Sequence, residues 1–287
     1  MMSSADSGIK QIGVVYNTRV ERSLPLAHEI EGWLRSTHDI GVWRCPISTC
    51  RESFQPADLL ITLGGDGSIL RVAQTAAPAG IPILGINLGR VGFLTETPPE
   101  HWQDTLAQVL EGRAGVESRM MLCVTLVREG AAIALEHALN EAVVSRGALA
   151  RTVRLHTAID GAMMTRYVAD GLILATSTGS TAYAYAAGGP ILPPWLDNIV
   201  LVPTAPHLSF ERPVVLDATS VIEVRVETRI PGMLSVDGRM EGELADGDVV
   251  RVVRSSIRAR FLRLRNRSDF YQTLVSRLIP RNGDPHG

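Results

Sequence analysis

Apolar positions in the first hundred residues alternate between two textures. Residues 13–17 (Gly-Val-Val-Tyr-Asn) form a short apolar run ending in a turn residue, the mark of a strand. Leu24, Leu26, Ile30, Trp33 and Leu34 then recur at helical spacing, with Glu29, Glu31 and Arg35 between them. Residues 41–44 predict a second, weaker strand, 59–63 a third and 81–87 a fourth. Ile69, Val72 and Ala73 mark a helix between the last two. Near-continuous apolar strands alternating with helices imply a parallel sheet covered by helices. Thr97-Pro98-Pro99-Glu100 reads as a helix start, with Thr97 as N-cap, proline in the first turn and Glu100 closing a capping box. That helix is expected to run to about Leu110 and stop at Gly112.

Beyond Gly112 the period changes. Short β-type runs follow at 122–127, 138–144, 153–159, 165–168, 172–175, 199–202, 221–226 and 249–253, separated by glycine, proline and acidic turns. A helical turn or two fits within 180–187, and Phe270, Leu274 and Leu278 share one side of a helix over 269–278. The expected fold class is an α/β N-terminal domain with a parallel sheet plus a β-rich, sandwich-like C-terminal domain, the last helix returning to the first domain. The expected bounds are 1–98, joined by 266–287, for the α/β domain and 99–265 for the β-rich one.

Composition narrows the class. Of the 287 residues, 45% are hydrophobic and 20% charged, which is globular rather than disordered. A net charge of −2 gives no bulk attraction to nucleic acid or an anionic membrane, so neither is expected as a partner. Cys45, Cys50 and Cys123 lack metal-type spacing, and residues 1–10 have no apolar signal core, so a cytoplasmic protein with reduced thiols is expected. Residues 171–196 carry no charge, but glycines, prolines and hydroxyls break the run too often for a membrane span. An uncharged, hydroxyl-rich segment reads better as the wall of a ligand pocket.

The chemistry starts at Leu63-Gly64-Gly65-Asp66-Gly67-Ser68, between the third strand and its helix. Glycines let backbone approach a ligand, and a helix N-terminus favours anions such as phosphate. A carboxylate in such a turn repels phosphate, which points to a group that takes a proton from an attacking hydroxyl. Gly-Asp-Gly is also ordinary surface-turn chemistry, and the stretch alone leaves both readings open. Ligands of parallel sheets sit at the carboxyl ends of strands, where Asp66 and Asn87 fall.

Asn140-Glu141 stands within an apolar strand. Strand neighbours point to opposite faces, so a bend is needed for both to serve one ligand; a solvated strand end is the alternative. The third stretch runs from Asp170-Gly171 through Thr176-Ser177-Thr178-Gly179-Ser180-Thr181-Ala182-Tyr183 to Gly188-Gly189-Pro190-Ile191. The fourth is Leu234-Ser235-Val236-Asp237-Gly238-Arg239, where Asp237-Gly238 fits a hairpin turn.

These stretches, in this order, resemble the ATP-NAD kinase family over roughly residues 13–264. Gly-Gly-Asp-Gly alone is shared with phosphofructokinases and lipid kinases of related fold. The Rossmann pattern Gly-x-Gly-x-x-Gly is absent, so a dehydrogenase is not supported. The resemblance implies phosphorylation of the 2′-hydroxyl of the adenosine ribose of NAD by ATP, with Asp66 as the base. It implies that Gly64, Gly65 and Gly67 hold phosphates, with Ser68 opening the supporting helix. Asn140 and Glu141 match the pair that binds adenosine and ribose hydroxyls. Asp170, Thr178, Thr181, Ala182, Tyr183 and Ala186 match the dinucleotide-contacting wall. Phe93 matches an aromatic beside the nucleotide, and Ala205 and His207 another lining segment. Arg71, Arg151 and Arg239 match positions near phosphates.

The family further implies Mg2+ or another divalent cation bound with ATP and a homodimer or homotetramer, and no protein-side metal ligands are expected. Two departures stand out. Ser177 replaces a frequent proline, and residues 145–150 lack the usual pattern, which leaves phosphate contacts by Arg146 or Arg151 open. A lipid or sugar kinase using the same turn, and a non-catalytic NAD-binding sensor, are the competing readings.

Overall fold

The structure, a computed structural model, describes residues 8–90, 92–147, 152–207 and 210–278. The chain divides into two compact units: Met1–Ser118 with Arg260–Gly287, and Arg119–Ala259. In chain order it begins with β1 (Gln11–Tyr16), α1 (Ser23–His38), β2 (Gly41–Pro46), β3 (Leu59–Gly64), α2 (Asp66–Ala76), β4 (Ile83–Asn87) and α3 (Trp102–Leu110). Then come β5 (Gly115–Arg128), β6 (Ala131–Ala138), β7 (Glu141–Ser145), β8 (Val153–Ile159), β9 (Ala162–Ala169), β10 (Gly171–Thr176) and the single turn α4 (Tyr183–Ala186). β11 (Asn198–Thr204), β12 (Val214–Asp217), β13 (Ile222–Glu227), β14 (Gly232–Val236), β15 (Arg239–Leu244), β16 (Val249–Arg263) and α5 (Asp269–Leu278) complete it.

In the first unit β2, β1, β3 and β4 pair in that order, all parallel. All six residues of β3 are buried, as a central parallel strand requires, which is why its sequence is nearly all apolar. α1 lays Leu26, Ala27, Ile30 and Leu34 against Ile12, Val14, Leu59 and Ile61. Each such side chain, fully buried, contributes about 1.5–3 kcal/mol. Trp102, Leu106 and Val109 of α3 pack in this same core. The first unit therefore continues to Ser118 rather than closing at residue 98.

Thr97 is not the cap of that helix. A short 3-10 turn at Pro99–His101 intervenes, with extended Pro98 before it and no side-chain cap bond. Thr97 is held in the sheet instead: it bridges Ile86, and its carbonyl accepts the Asn87 N–H at 2.8 Å. Its hydroxyl accepts from Thr105 at 3.0 Å and donates to the Pro98 carbonyl at 3.3 Å, and bonds no N–H of the helix.

In the second unit β7 and β10 lie at the centre of a sheet ordered β12, β11, β10, β7, β14, β15, antiparallel throughout. β13 pairs antiparallel with β16 and β8, and β8 with β9. Leu172 and Leu174 of β10 face a core shared with Leu155, Tyr167, Val224 and Val250, whereas Ile173 and Ala175 pack with Ala184 and Val200. The sheet is covered on both faces, which explains the unbroken apolar run of β10.

The sequence pattern missed β6, β12, β14 and β15. Ala131–Ala138 is alanine-rich and weakly β-forming by itself; antiparallel pairing with β5 makes it a strand. β14 and β15 flank the Asp237-Gly238 turn, whose φ values of 48° and 73° fit a two-residue hairpin of the primed type.

Candidate active site

In the first unit β3 ends at Gly64, paired with Asn87 at the end of β4. Gly65 is the extended N-cap of α2, and Asp66 opens the helix. The first N–H groups of a helix have no acceptor within it, so the turn presents donors toward an anion. Nothing lies within 4 Å of where a Cβ on Gly65 or Gly67 would stand, so the turn is open there. Ser68 is buried, and its hydroxyl accepts from Asn17 Nδ2 at 3.1 Å. Arg71 is exposed and lies about 140° round the helix from Asp66, so the helix does not bring the two together.

Asp66 is held from the loop after β4. Its Oδ2 accepts the Phe93 N–H at 2.9 Å and its Oδ1 the Leu94 N–H at 3.1 Å. Arg277 of α5 stands 3.8 Å from Oδ2, with its guanidinium 5.0 Å from the centre of the Phe93 ring. Phe270 lies 5.9 Å from the same ring, centre to centre. Arg277 carried no sequence signal as a site residue.

In the second unit Asn140 precedes β7 and Glu141 begins it; they are 9% and 7% exposed. Glu141 Oε2 is buried without a hydrogen-bond partner among the described residues. Burial first, and then the charge of Asp237, push the Glu141 carboxyl up to about 8, against a hydrogen bond from the Tyr183 N–H. Near neutral pH such a carboxyl has an O–H to donate and oxygens to accept, which suits a sugar hydroxyl.

The wall after β10 is folded on itself by its hydroxyls. Ser180 Oγ donates to the Ser177 carbonyl at 2.7 Å, and Thr181 Oγ1 to the Thr178 carbonyl at 3.3 Å. Thr178 is buried, and its hydroxyl accepts from buried Arg119 at 3.2 Å. Ala182 has an irregular backbone, and Tyr183 and Ala186 present exposed side chains on α4. Ser177 Oγ, at the position where the family resemblance often has proline, is buried and unpartnered among the described residues.

Asp170 is already engaged, its Oδ1 2.7 Å from Arg146 Nε, so Arg146 is fixed on a carboxylate. Ala205 adopts φ 44°, a costly conformation for a non-glycine residue and one that gathers at functional sites. His207 is exposed, and its N–H donates to the Val168 carbonyl at 2.7 Å. Arg239 is exposed in β15, 3.6 Å from Glu241. Arg151 lies outside the described residues. No group of three or more His, Cys, Asp or Glu among the described residues could hold a metal ion.

The family profile for the ATP-NAD kinase N-terminal domain matches residues 43–114, and that for the C-terminal domain matches 139–264. The chain belongs to the ATP-NAD kinase family. It is 39% identical over 273 residues to the NAD kinase of Chloroflexus aggregans, spanning 94% of this chain and 99% of that one. Against the NAD kinase of Symbiobacterium thermophilum identity is 44% over 223 residues, 77% of this chain and 78% of that one. Yeast NADH kinase, solved with NADH, superposes with a TM-score of 0.83 at 27% identity, covering 96% of this chain and 89% of the other. The Archaeoglobus fulgidus NAD kinase solved with ATP gives 0.74 at 29%, covering 93% and 99%. Both solved structures share this overall fold. No helix among the described residues is long and apolar enough to cross a membrane.

Proposed function

We propose that the chain is an NAD kinase, transferring the γ-phosphoryl group of ATP to the 2′-hydroxyl of the adenosine ribose of NAD to give NADP. The observation that carries this reading is Glu141, a buried carboxyl beside Asn140 whose Oε2 has no partner among the described residues. A buried polar atom left unpaired costs about 1–3 kcal/mol, and a ligand hydroxyl removes that cost.

Phosphoryl transfer asks a protein chiefly for positioning and charge stabilisation. Asn140 and Glu141 take the ribose and adenosine hydroxyls. The segment from Thr178 to Ala186, with Ala205 and His207, lines the dinucleotide, and Asp170 and Phe93 touch it. Gly64, Gly65 and Gly67 with the α2 N-terminus hold phosphate oxygens, with exposed Arg71 and Arg239 as the arginine candidates for phosphate contact. Asp66 accepts the proton of the 2′-hydroxyl. A carboxylate offers about four lone-pair positions, and the Phe93 and Leu94 N–H groups occupy only two on Asp66.

A divalent cation, Mg2+ first, fits as a companion of ATP, because its preferred donors are phosphate oxygens and water rather than an all-protein cage. Bound there it would offset the phosphate charge. A homodimer or homotetramer belongs to the same reading, and light scattering on the purified chain checks it.

The test is a turnover assay with NAD, ATP and Mg2+, followed by an NADP-dependent dehydrogenase. ATP-dependent NADP formation is expected. Tight NAD binding without product would make the chain a sensor. Phosphorylation of diacylglycerol or fructose 6-phosphate in place of NAD would make it a lipid or sugar kinase. Parallel runs with NADH and polyphosphate define acceptor and donor.

A further inference from the structure

Adjacent strand residues face opposite sides, so Asn140 and Glu141 can serve one ligand only if the strand is broken beside them. Leu139 and Asn140 form that break, between β6 and β7. The carboxylate of Asp237, at the tip of the β14–β15 hairpin, closes it. Oδ2 accepts the Leu139 N–H at 2.8 Å, and Oδ1 accepts those of Asn140 at 2.8 Å and Glu141 at 3.1 Å. The Asp237 N–H returns a bond to the Glu141 carbonyl at 2.9 Å.

Thr176 fills the other side. Its hydroxyl donates to the Leu139 carbonyl at 2.6 Å, and its N–H to the Asn140 carbonyl at 2.8 Å. Gly179 donates to the same hydroxyl at 3.0 Å, and a Cβ there would stand 2.2 Å from the Asn140 oxygen. Every main-chain N–H and C=O of Leu139, Asn140 and Glu141 is therefore taken by Asp237 or Thr176. Three N–H groups converging on one anion are a backbone nest, here filled by the chain's own carboxylate.

We propose that Asp237 is a positioning residue: it gathers these three amides and so fixes the kinked pose in which the side chains of Asn140 and Glu141 both meet the ribose of NAD. It does so without touching the substrate. The proposal rests on the assignment of Asn140 and Glu141 as the ribose-binding pair. A turn with positive φ at its first position accepts Asp or Asn, but the carboxylate has two accepting oxygens where an amide has one. With Asn at 237, an NH2 group meets an N–H donor of the nest.

Asp237→Asn in the full chain is the test, with kinetics and amide hydrogen exchange as paired readouts. The KM for NAD should rise at least about tenfold, as for the loss of a charge-assisted bond, with the KM for ATP unchanged. Exchange at Leu139, Asn140 and Glu141 should speed up by a similar factor while β8 and β9 keep wild-type rates. An unchanged KM for NAD overturns the proposal, as does a parallel rise in both KM values with faster exchange throughout the second unit. Should Asp237→Asn fail to fold, NMR of the wild-type chain decides. Couplings through the hydrogen bonds should link the amide nitrogens of Leu139, Asn140 and Glu141 to the Asp237 carboxylate carbon, and their absence overturns it. If the wild-type chain makes no NADP, the functional reading fails separately, because exchange and these couplings need no turnover.

Discussion

A Cβ placed on Gly92 would stand 1.9 Å from Oδ1 of Asp66. The loop that gives Asp66 its two N–H donors can approach only because residue 92 has no side chain. Gly92→Ala must push the carboxylate or the loop aside by more than a bond length. A misplacement of about 1 Å costs on the order of 10²-fold in rate. Steady-state kinetics should show kcat down by about that factor, with the KM for NAD little changed.

Asp66→Asn removes the proton acceptor at nearly the same size, although its NH2 group must then face the Phe93 or Leu94 N–H. General-base help is worth about 10²–10⁴-fold, and kcat should fall within that range. Calorimetry should find NAD binding intact. Wild-type turnover in this variant would remove Asp66 from the chemistry.

Glu141 makes stability depend on pH. Its folded carboxyl is raised to about 8 from the usual 4.5, by burial and then by Asp237. Between those values the unfolded chain ionises while the folded chain keeps the proton. The contribution is fully present below 4.5 and is lost as pH rises through 8. Each pH unit in that window costs about 1.4 kcal/mol at most. Urea unfolding at acid, neutral and mildly alkaline pH should show wild-type stability declining across the window and a flatter profile for Glu141→Gln.

In the first unit buried Glu96 pairs with half-buried Arg263 at 3.1 Å. Glu96 also accepts the Leu264 and Arg265 N–H groups at 2.9 and 3.0 Å, tying down the chain before α5. Without Glu96, Arg263 keeps Glu117 at 3.2 Å, but the Leu264 and Arg265 N–H groups lose their acceptor, a loss of about 1–3 kcal/mol. Glu96→Ala should lower the melting temperature in calorimetry by several degrees, whereas Arg22→Ala, which breaks the exposed pair with Glu100, should shift it by little.

The helices α1 and α2 and the strands β1, β3 and β10 were legible because their apolar period and glycine punctuation are local. β6 was not, since alanine-rich Ala131–Ala138 becomes a strand only through β5. Thr97 looked like a cap because the residues after it have cap chemistry, and its bridge to Ile86 overrode them. The glycine turn, the Asn-Glu pair and the hydroxyl-rich wall stood out as motifs, but the groups that hold them did not. Arg119 behind Thr178 lies just before the apolar run at 122–127, and Arg277 over Phe93 lies on a helix whose apolar pattern says nothing of that arginine.

Order of residues alone settled the class of the strongly periodic elements, the place of the phosphate-type turn at a helix start, and the family. Those properties depend on neighbours a few positions apart, where periodicity and turn chemistry act. Tertiary pairing settled which donors reach which carboxylates: Phe93 and Leu94 on Asp66, and three distant amides on Asp237. Those bonds depend on strand register and on how closely loops approach, and a one-residue slip would turn every side chain to the other face.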